Sequence, residues 1–266
     1  MVKPIGSEAE TPSDIFLKLV RVASEDILVG GQALALWVEH YGVAVPEGVA
    51  AISRDVDFLT ESPTSNDSVT RYAKALHGKT FFPSRRAMTS LVGQAFLLLP
   101  KEEYINVDVL WSLIGLTSDQ VRARAVTAFR ADASFRVMHE LHVLRSRLIN
   151  LHRLKEKQND KGEMQLRLAI DVAREFMRQQ AVKHDVESIG NGRSPLQPLF
   201  KEITLLASDD AGQKVAKRHG IHVADALDPS LIPAGPFWER QWPRLEKLMS
   251  PPYRALFAPP QPQPDD

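Results

Sequence analysis

Ile27-Leu28-Val29-Gly30-Gly31, a helix-like stretch to Tyr41, and then Ser53-Arg54-Asp55-Val56-Asp57-Phe58 decide how this chain is read. The first segment is an apolar run closed by two glycines, which reads as a short buried strand over Asp26 to Gly30. Gln32 to Tyr41 reads as the helix that follows, stopped by Gly42. In the second segment two acids alternate with Val56 and Phe58. Side chains i and i+2 of a strand share a face, so Asp55 and Asp57 project together, toward solvent, while Val56 and Phe58 enter the core. Two hard oxygen donors side by side after a Gly-Gly turn are what metal-assisted phosphoryl chemistry requires.

A third acid follows downstream. Tyr104 to Leu110 alternates strictly, with Ile105, Val107 and Val109 on one face and Asn106, Asp108 and Leu110 on the other. If the two strands are neighbours, Asp55, Asp57 and Asp108 meet, and each pair repels by roughly 1 kcal/mol or more even at a polar surface. Protonation or a divalent cation must relieve that repulsion. Oxygen-only ligands favour Mg2+ or Mn2+, whose remaining coordination positions accept water and substrate phosphates. Gly30 and Gly31 meet the other half of the same demand. Glycine lets the backbone approach a phosphate closely, and the helix after it presents free amides and its positive dipole end to the anion. A strand edge entering a turn is the plainer reading of Asp55 and Asp57; the order of Gly-Gly, Asp-x-Asp and a later strand acid favours the metal site.

On these residues the chain resembles the DNA polymerase β-like nucleotidyltransferase superfamily. Its signature is an apolar residue with Gly-Gly or Gly-Ser, a spacer, an Asp-apolar-Asp-apolar strand and a third acid on a later strand. The matching residues are Val29-Gly30-Gly31, Asp55-Val56-Asp57-Phe58 and Val107-Asp108-Val109. Val-Gly-Gly-Gln-Ala-Leu-Ala-Leu-Trp, followed by Ser53-Arg54-Asp55-Val56-Asp57-Phe58-Leu59, looks most like the AbiEii and MenT type toxin nucleotidyltransferases of toxin–antitoxin and phage-defence systems. The resemblance covers about residues 25 to 112. It implies transfer of a nucleoside monophosphate from a nucleoside triphosphate to a hydroxyl, with Asp55, Asp57 and Asp108 as catalytic and metal residues. Gly30, Gly31, Ser53 and Arg147 would bind the nucleotide, in a cleft between an α/β half and a helical half. The implied acceptor is a transfer-RNA end or a protein, and an antitoxin is an implied partner. Two other readings stay open: a small-molecule, aminoglycoside-like nucleotidyltransferase, and a non-catalytic nucleotide-binding regulatory protein.

The chain departs from that pattern in two places. The spacer between Gly31 and Asp55 is long, which leaves room for a loop at Val43 to Ala51. Toxin members also use a lysine and an aspartate from their helical half. Here Arg147, Lys155 and Lys157 are the candidates for the first, and Asp160 or Asp171 for the second.

Composition bounds the rest. The 266 residues suit one large or two ordinary domains, and 44% hydrophobic with 25% charged residues are globular values. With no cysteine there is no disulfide framework and no thiolate metal site, and the absence agrees with a cytoplasmic setting. Met1 to Thr11 does not read as a secretory signal, and no run approaches a membrane span. Lys plus Arg and Asp plus Glu are 33 each, so net charge points to neither a nucleic acid nor a membrane. Arg122 to Arg178 is locally rich in Arg and Lys, most simply as a solvated helical face.

The expected fold is α+β: a small mixed sheet with flanking helices over residues 1–138, a helical domain over 139–249 and a flexible proline-rich tail over 250–266. Helices are expected over Thr11 to Ala23 and Val69 to His77, strands over Thr80 to Pro83 and Met88 to Leu99, and one or two short strands in Val126 to Met138. In the helical half, Leu141, Leu144, Leu148 and Leu151 form one stripe and Leu166, Ile170, Ala173 and Met177 another, with a turn at Asn159 to Gly162 and a linker at Gly190 to Pro198. His139-Glu140-Leu141-His142 lacks the His-Glu-x-x-His spacing of a zinc-protease helix, so both histidines read as helix-start or packing residues. Trp37 and Trp111 read as core aromatics.

Overall fold

The computed structural model describes residues 6–47, 52–84, 86–183, 196–232 and 235–257. The chain forms two compact units, Met1–Ser146 and Arg147–Asp266.

In the first unit the strands are β1 (Ser7–Glu8), β2 (Ile27–Val29), β3 (Val56–Leu59), β4 (Lys79–Phe81), β5 (Leu91–Leu99), β6 (Glu103–Leu110), β7 (Val126–Arg130) and β8 (Ala133–Val137). The helices are α1 (Ser13–Arg21), α2 (Gly30–Tyr41), α3 (Asn66–Leu76), α4 (Ser118–Arg124) and the start of α5 (Glu140–Arg153). Among the described residues these eight strands make one mixed sheet, in the order β4-β5-β6-β3-β2-β8-β7, with β1 also on β6. It is larger than the small sheet expected, because Ser7–Glu8 adds a strand and the Val126 to Met138 segment folds as a full hairpin. Strand β1 pairs with the start of β6 and β3 with its end, both parallel, so the two share one edge of β6 end to end.

The alternation of β3 is realised in packing. Val56 and Phe58 are fully buried, and the Phe58 ring stacks on Tyr72 of α3 with centroids 4.5 Å apart. Asp57, between them, therefore points to the other face of the sheet. Helix α3 packs on β5 and on α1, and α1 in turn packs on β8 through a face carrying Phe16, Leu19 and Val20. Strand β5 starts at Leu91 and not at Met88, whose side chain is fully exposed. The Thr89 hydroxyl caps the Leu91 N–H at 3.1 Å, and pairing with β6 begins only at Leu91.

Sequence reading passed over α4, although Thr117 and Gln120 form a reciprocal capping box at its start. Helix α2 begins at Gly30, two residues earlier than expected. Of the expected loop at 43–51, residues 48–51 lie outside the described residues.

In the second unit, α6 (Asp160–Lys183), α7 (Leu196–Ser208) and α8 (Asp210–His219) supply the regular helices. Asn159 caps α6 by accepting from the Gly162 N–H at 3.0 Å, so the expected turn at Asn159 to Gly162 is already the first turn of the helix. Helix α6 buries Leu166, Ile170, Ala173 and Met177, and also Leu168, Ala169, Val172 and Phe176, so it is covered on more than one stripe. The expected linker falls partly on residues 190–195, outside the described residues, and its end is helical from Leu196. The expected tail is not all free chain. Pro251–Arg254 is helical, the Tyr253 hydroxyl donates to the Leu227 carbonyl at 3.0 Å, and the Arg174 guanidinium lies 4.6 Å over its ring. Residues 258–266 lie outside the described residues. No helix among the described residues is long and apolar enough to cross a membrane.

Candidate metal centre

Register brings the three acids together. Strands β3 and β6 are parallel with Asp57 opposite Asp108, and β2 and β3 are antiparallel with Val29 opposite Asp57. The Gly-Gly element and the two strand acids thus meet at adjacent positions of three neighbouring strands. Asp55 lies in the bend just before β3 and joins them. One carboxylate oxygen from each of Asp55, Asp57 and Asp108 lies within 4.8 Å of the others, and all three residues are half-buried. Like charges directly opposite one another on a sheet are unfavourable. A fold that collects them gains nothing from the arrangement by itself.

Two of the three carboxylates are held by hydrogen bonds from neighbouring side chains. Ser53, itself buried, donates from Oγ to Asp55 Oδ1 at 2.7 Å. The bend carrying Ser53 and Asp55 is anchored from two sides. Gln32 of α2 donates to the Ser53 carbonyl at 3.2 Å, and Thr11 donates to the Arg54 carbonyl from its hydroxyl at 2.8 Å and its N–H at 3.1 Å. Asp108 Oδ1 accepts from Gln94 Nε2 and Asn106 Nδ2, both at 2.8 Å. These amide and hydroxyl donors are neutral groups that fix the directions of Asp55 and Asp108.

Gly30 and Gly31 are required here by sterics. Gly30 has φ +69°, and a Cβ built on it would run into the Asp57 carboxylate; one on Gly31 would run into the Ser53 side chain. The backbone at the start of α2 therefore lies directly against two of the residues named in the sequence. The residue before that helix is Val29, which has no side-chain oxygen to cap the first amides. The field of the acid set reaches Tyr104, on the same face of β6 as Asp108. Partial burial, then the charges of Glu8, Asp108 and Asp55, raise its phenol above the ordinary range.

The other residues marked in the sequence are placed as follows. Arg147 opens the second unit, is buried, and donates to Gln165 Oε1 of α6 at 3.3 Å. Lys155, Lys157 and Asp160 are exposed. Asp171 pairs with Arg174 at 2.8 Å on α6. Trp37 is buried, as expected of a core aromatic, and donates to the Met138 carbonyl at 2.8 Å. Trp111, expected in the core, is 38% exposed, because β6 ends at Leu110 and the indole only bridges to the Thr89 carbonyl. His142 is buried in the first turn of α5, and His139, just before the helix, is half-buried. Burial first, and then Arg124 beside both rings, push their pKa values down to about 3 and about 4.

Gln94 and Asn106 were missed as site residues. The alternation of β6 already set Asn106 on the face of Asp108, and Gln94 is the one polar residue in the run Leu91-Val92-Gly93-Gln94-Ala95-Phe96-Leu97-Leu98-Leu99. Chemically, three converging carboxylates form a hard, anionic donor set that could hold a metal ion. Comparison with protein-family models finds no match for this chain, and comparison with curated proteins finds none either.

Proposed function

We propose that the chain is a metal-dependent nucleotidyltransferase that moves a nucleoside monophosphate from a nucleoside triphosphate to a hydroxyl acceptor. The observation that carries this reading is the convergence of Asp55, Asp57 and Asp108 within 4.8 Å, at the strand end from which α2 starts on Gly30 and Gly31. Asp55, Asp57 and Asp108 would hold Mg2+ or Mn2+, which when bound neutralises triphosphate charge and polarises the α-phosphate. The uncapped amides at the start of α2 receive phosphate oxygens. The acceptor oxygen bonds to the α-phosphorus as the bond to the bridging oxygen breaks and pyrophosphate leaves; Asp108 takes the hydroxyl proton.

The resemblance to toxin nucleotidyltransferases supports an RNA end or a protein hydroxyl as the acceptor. Incubation with Mg2+ and each labelled nucleoside triphosphate, with and without total RNA, tests both parts. Label in RNA, or in the protein itself, is the expected result. Label only in an added aminoglycoside would move the acceptor to small molecules, and nucleotide binding with no transfer to any acceptor would leave a regulatory module in place of an enzyme.

A further inference from the structure

Two buried amides converge on one oxygen of Asp108. Gln94 and Asn106 are 7% and 3% exposed, and both aim their terminal amides into the acid set. A carboxylate oxygen can only accept, so each amide must turn its NH2 group toward Asp108 Oδ1. As a result, Gln94 Oε1 and Asn106 Oδ1 are buried with no hydrogen-bond partner among the described residues. Folds avoid burying amide oxygens in this way, so the orientation that forces it is the informative feature.

We infer that Gln94 and Asn106 are positioning residues that limit Asp108 to a single outward oxygen, so that the centre takes a small octahedral cation such as Mg2+ or Mn2+ and discriminates against Ca2+. The inference rests on reading the acid set as a divalent-cation centre. An oxygen that accepts two short hydrogen bonds has both lone pairs engaged, so at most the other oxygen of Asp108 can enter a cation's shell. Asp55 Oδ1 accepts one hydrogen bond, from Ser53 Oγ, which orients that carboxylate too. Single-oxygen carboxylates suit the near-ideal octahedron of Mg2+, whereas Ca2+ takes about six to eight oxygens and draws on carboxylates that bind through both.

The test is titration of the full chain with Mn2+, read from the paramagnetic signal of the free ion, and with Ca2+ in competition. It needs neither substrate nor turnover. Wild type is expected to favour Mn2+ over Ca2+. Gln94→Met combined with Asn106→Ala should weaken Mn2+ binding roughly 10-fold or more while Ca2+ binding holds, narrowing the ratio. Asn106→Ser keeps a donor hydroxyl and should keep most of the discrimination. If the double variant does not melt cooperatively, the single variants carry the same test, with intermediate ratios expected. Equal loss for both ions overturns the inference, since a packing role would act on both alike; an unchanged ratio, or a wild type without preference, overturns it too. A wild-type chain that binds neither ion overturns the underlying metal reading instead.

Discussion

Strand β2 carries polar chemistry at both ends, and the two ends are built on opposite plans. At its start Asp26, 4% exposed, is met within the chain: Arg71 at 2.5 Å, the Tyr72 hydroxyl at 3.0 Å and the Ser68 hydroxyl at 3.2 Å. That carboxylate is paired with a cation and hydrogen-bonded on both oxygens, the arrangement a buried charge needs. At its far end, Gly30 turns the chain beside Asp57, and three half-buried acids face one another, with Ser53 donating to Asp55 and Gln94 and Asn106 donating to Asp108. One end settles a charge internally. The other gathers three like charges at half-buried positions, the kind of clustering found at functional sites.

The largest expected effect breaks that contrast directly. Asp57→Asn keeps the size of the side chain and should bring labelled nucleotide transfer down to the no-protein background, with a melting temperature close to that of wild type. A large drop in melting temperature would mean that Asp57 is structural, as Asp26 is. Gly30→Ala should damage both properties, because the new Cβ meets the Asp57 carboxylate in a left-handed backbone. Strain and displacement together are expected to cost about 3 kcal/mol in urea unfolding, with transfer lost as well.

Asp26→Asn is the mirror experiment. It removes the charge that holds Arg71 and weakens two further hydrogen bonds, for a loss of about 2 kcal/mol, while the folded fraction keeps wild-type transfer. Loss of transfer without loss of stability would erase the distinction between the two ends of β2.

The last effect is a pH dependence, and it comes from His142 in the first turn of α5 and His139 just before it. Both rings titrate lower in the fold than in the unfolded chain, at about 3 for His139 and about 4 for His142. Below pH about 6.5 the unfolded chain therefore binds more protons, and stability falls as pH drops toward those folded values. Each ring contributes at most about 1.4 kcal/mol per pH unit in that window. Glu140 acts in the opposite sense. Burial raises its pKa although the Tyr41 hydroxyl donates to it at 2.7 Å, so its protonation relieves the fold as pH falls. Melting temperatures between pH 7.5 and 5 should decline modestly in wild type and less in His142→Phe. An equal decline in both would remove His142 from the account.

How much of this could be read in advance follows from the range over which each residue is determined. The faces of Asp57 and Asp108 are local properties of alternating strands, and Val56, Phe58, Val107 and Val109 marked them. That the two strands are parallel neighbours with these acids in register is a long-range fact, and only the order of the motifs pointed to it. The glycines were read as room for a phosphate, whereas the space they leave is bounded first by Asp57 and Ser53. No local signal carries that, since the contacting residues are more than twenty positions apart in the chain. Gln94 stood out as a polar residue in an apolar run, but its target depends on pairing with β6. Strand β1 is two residues long, too short for any periodicity. Tyr253 was masked by the prolines around it, which here begin a helical turn and do not prevent packing.

Binding of Mn2+ to the purified full chain, in wild type, Asp57→Asn and Asp26→Asn, tests the central claim most directly. Saturable binding in wild type that is lost in Asp57→Asn and kept in folded Asp26→Asn is the predicted result. Absence of binding in wild type, or binding that Asp57→Asn leaves unchanged, would contradict it.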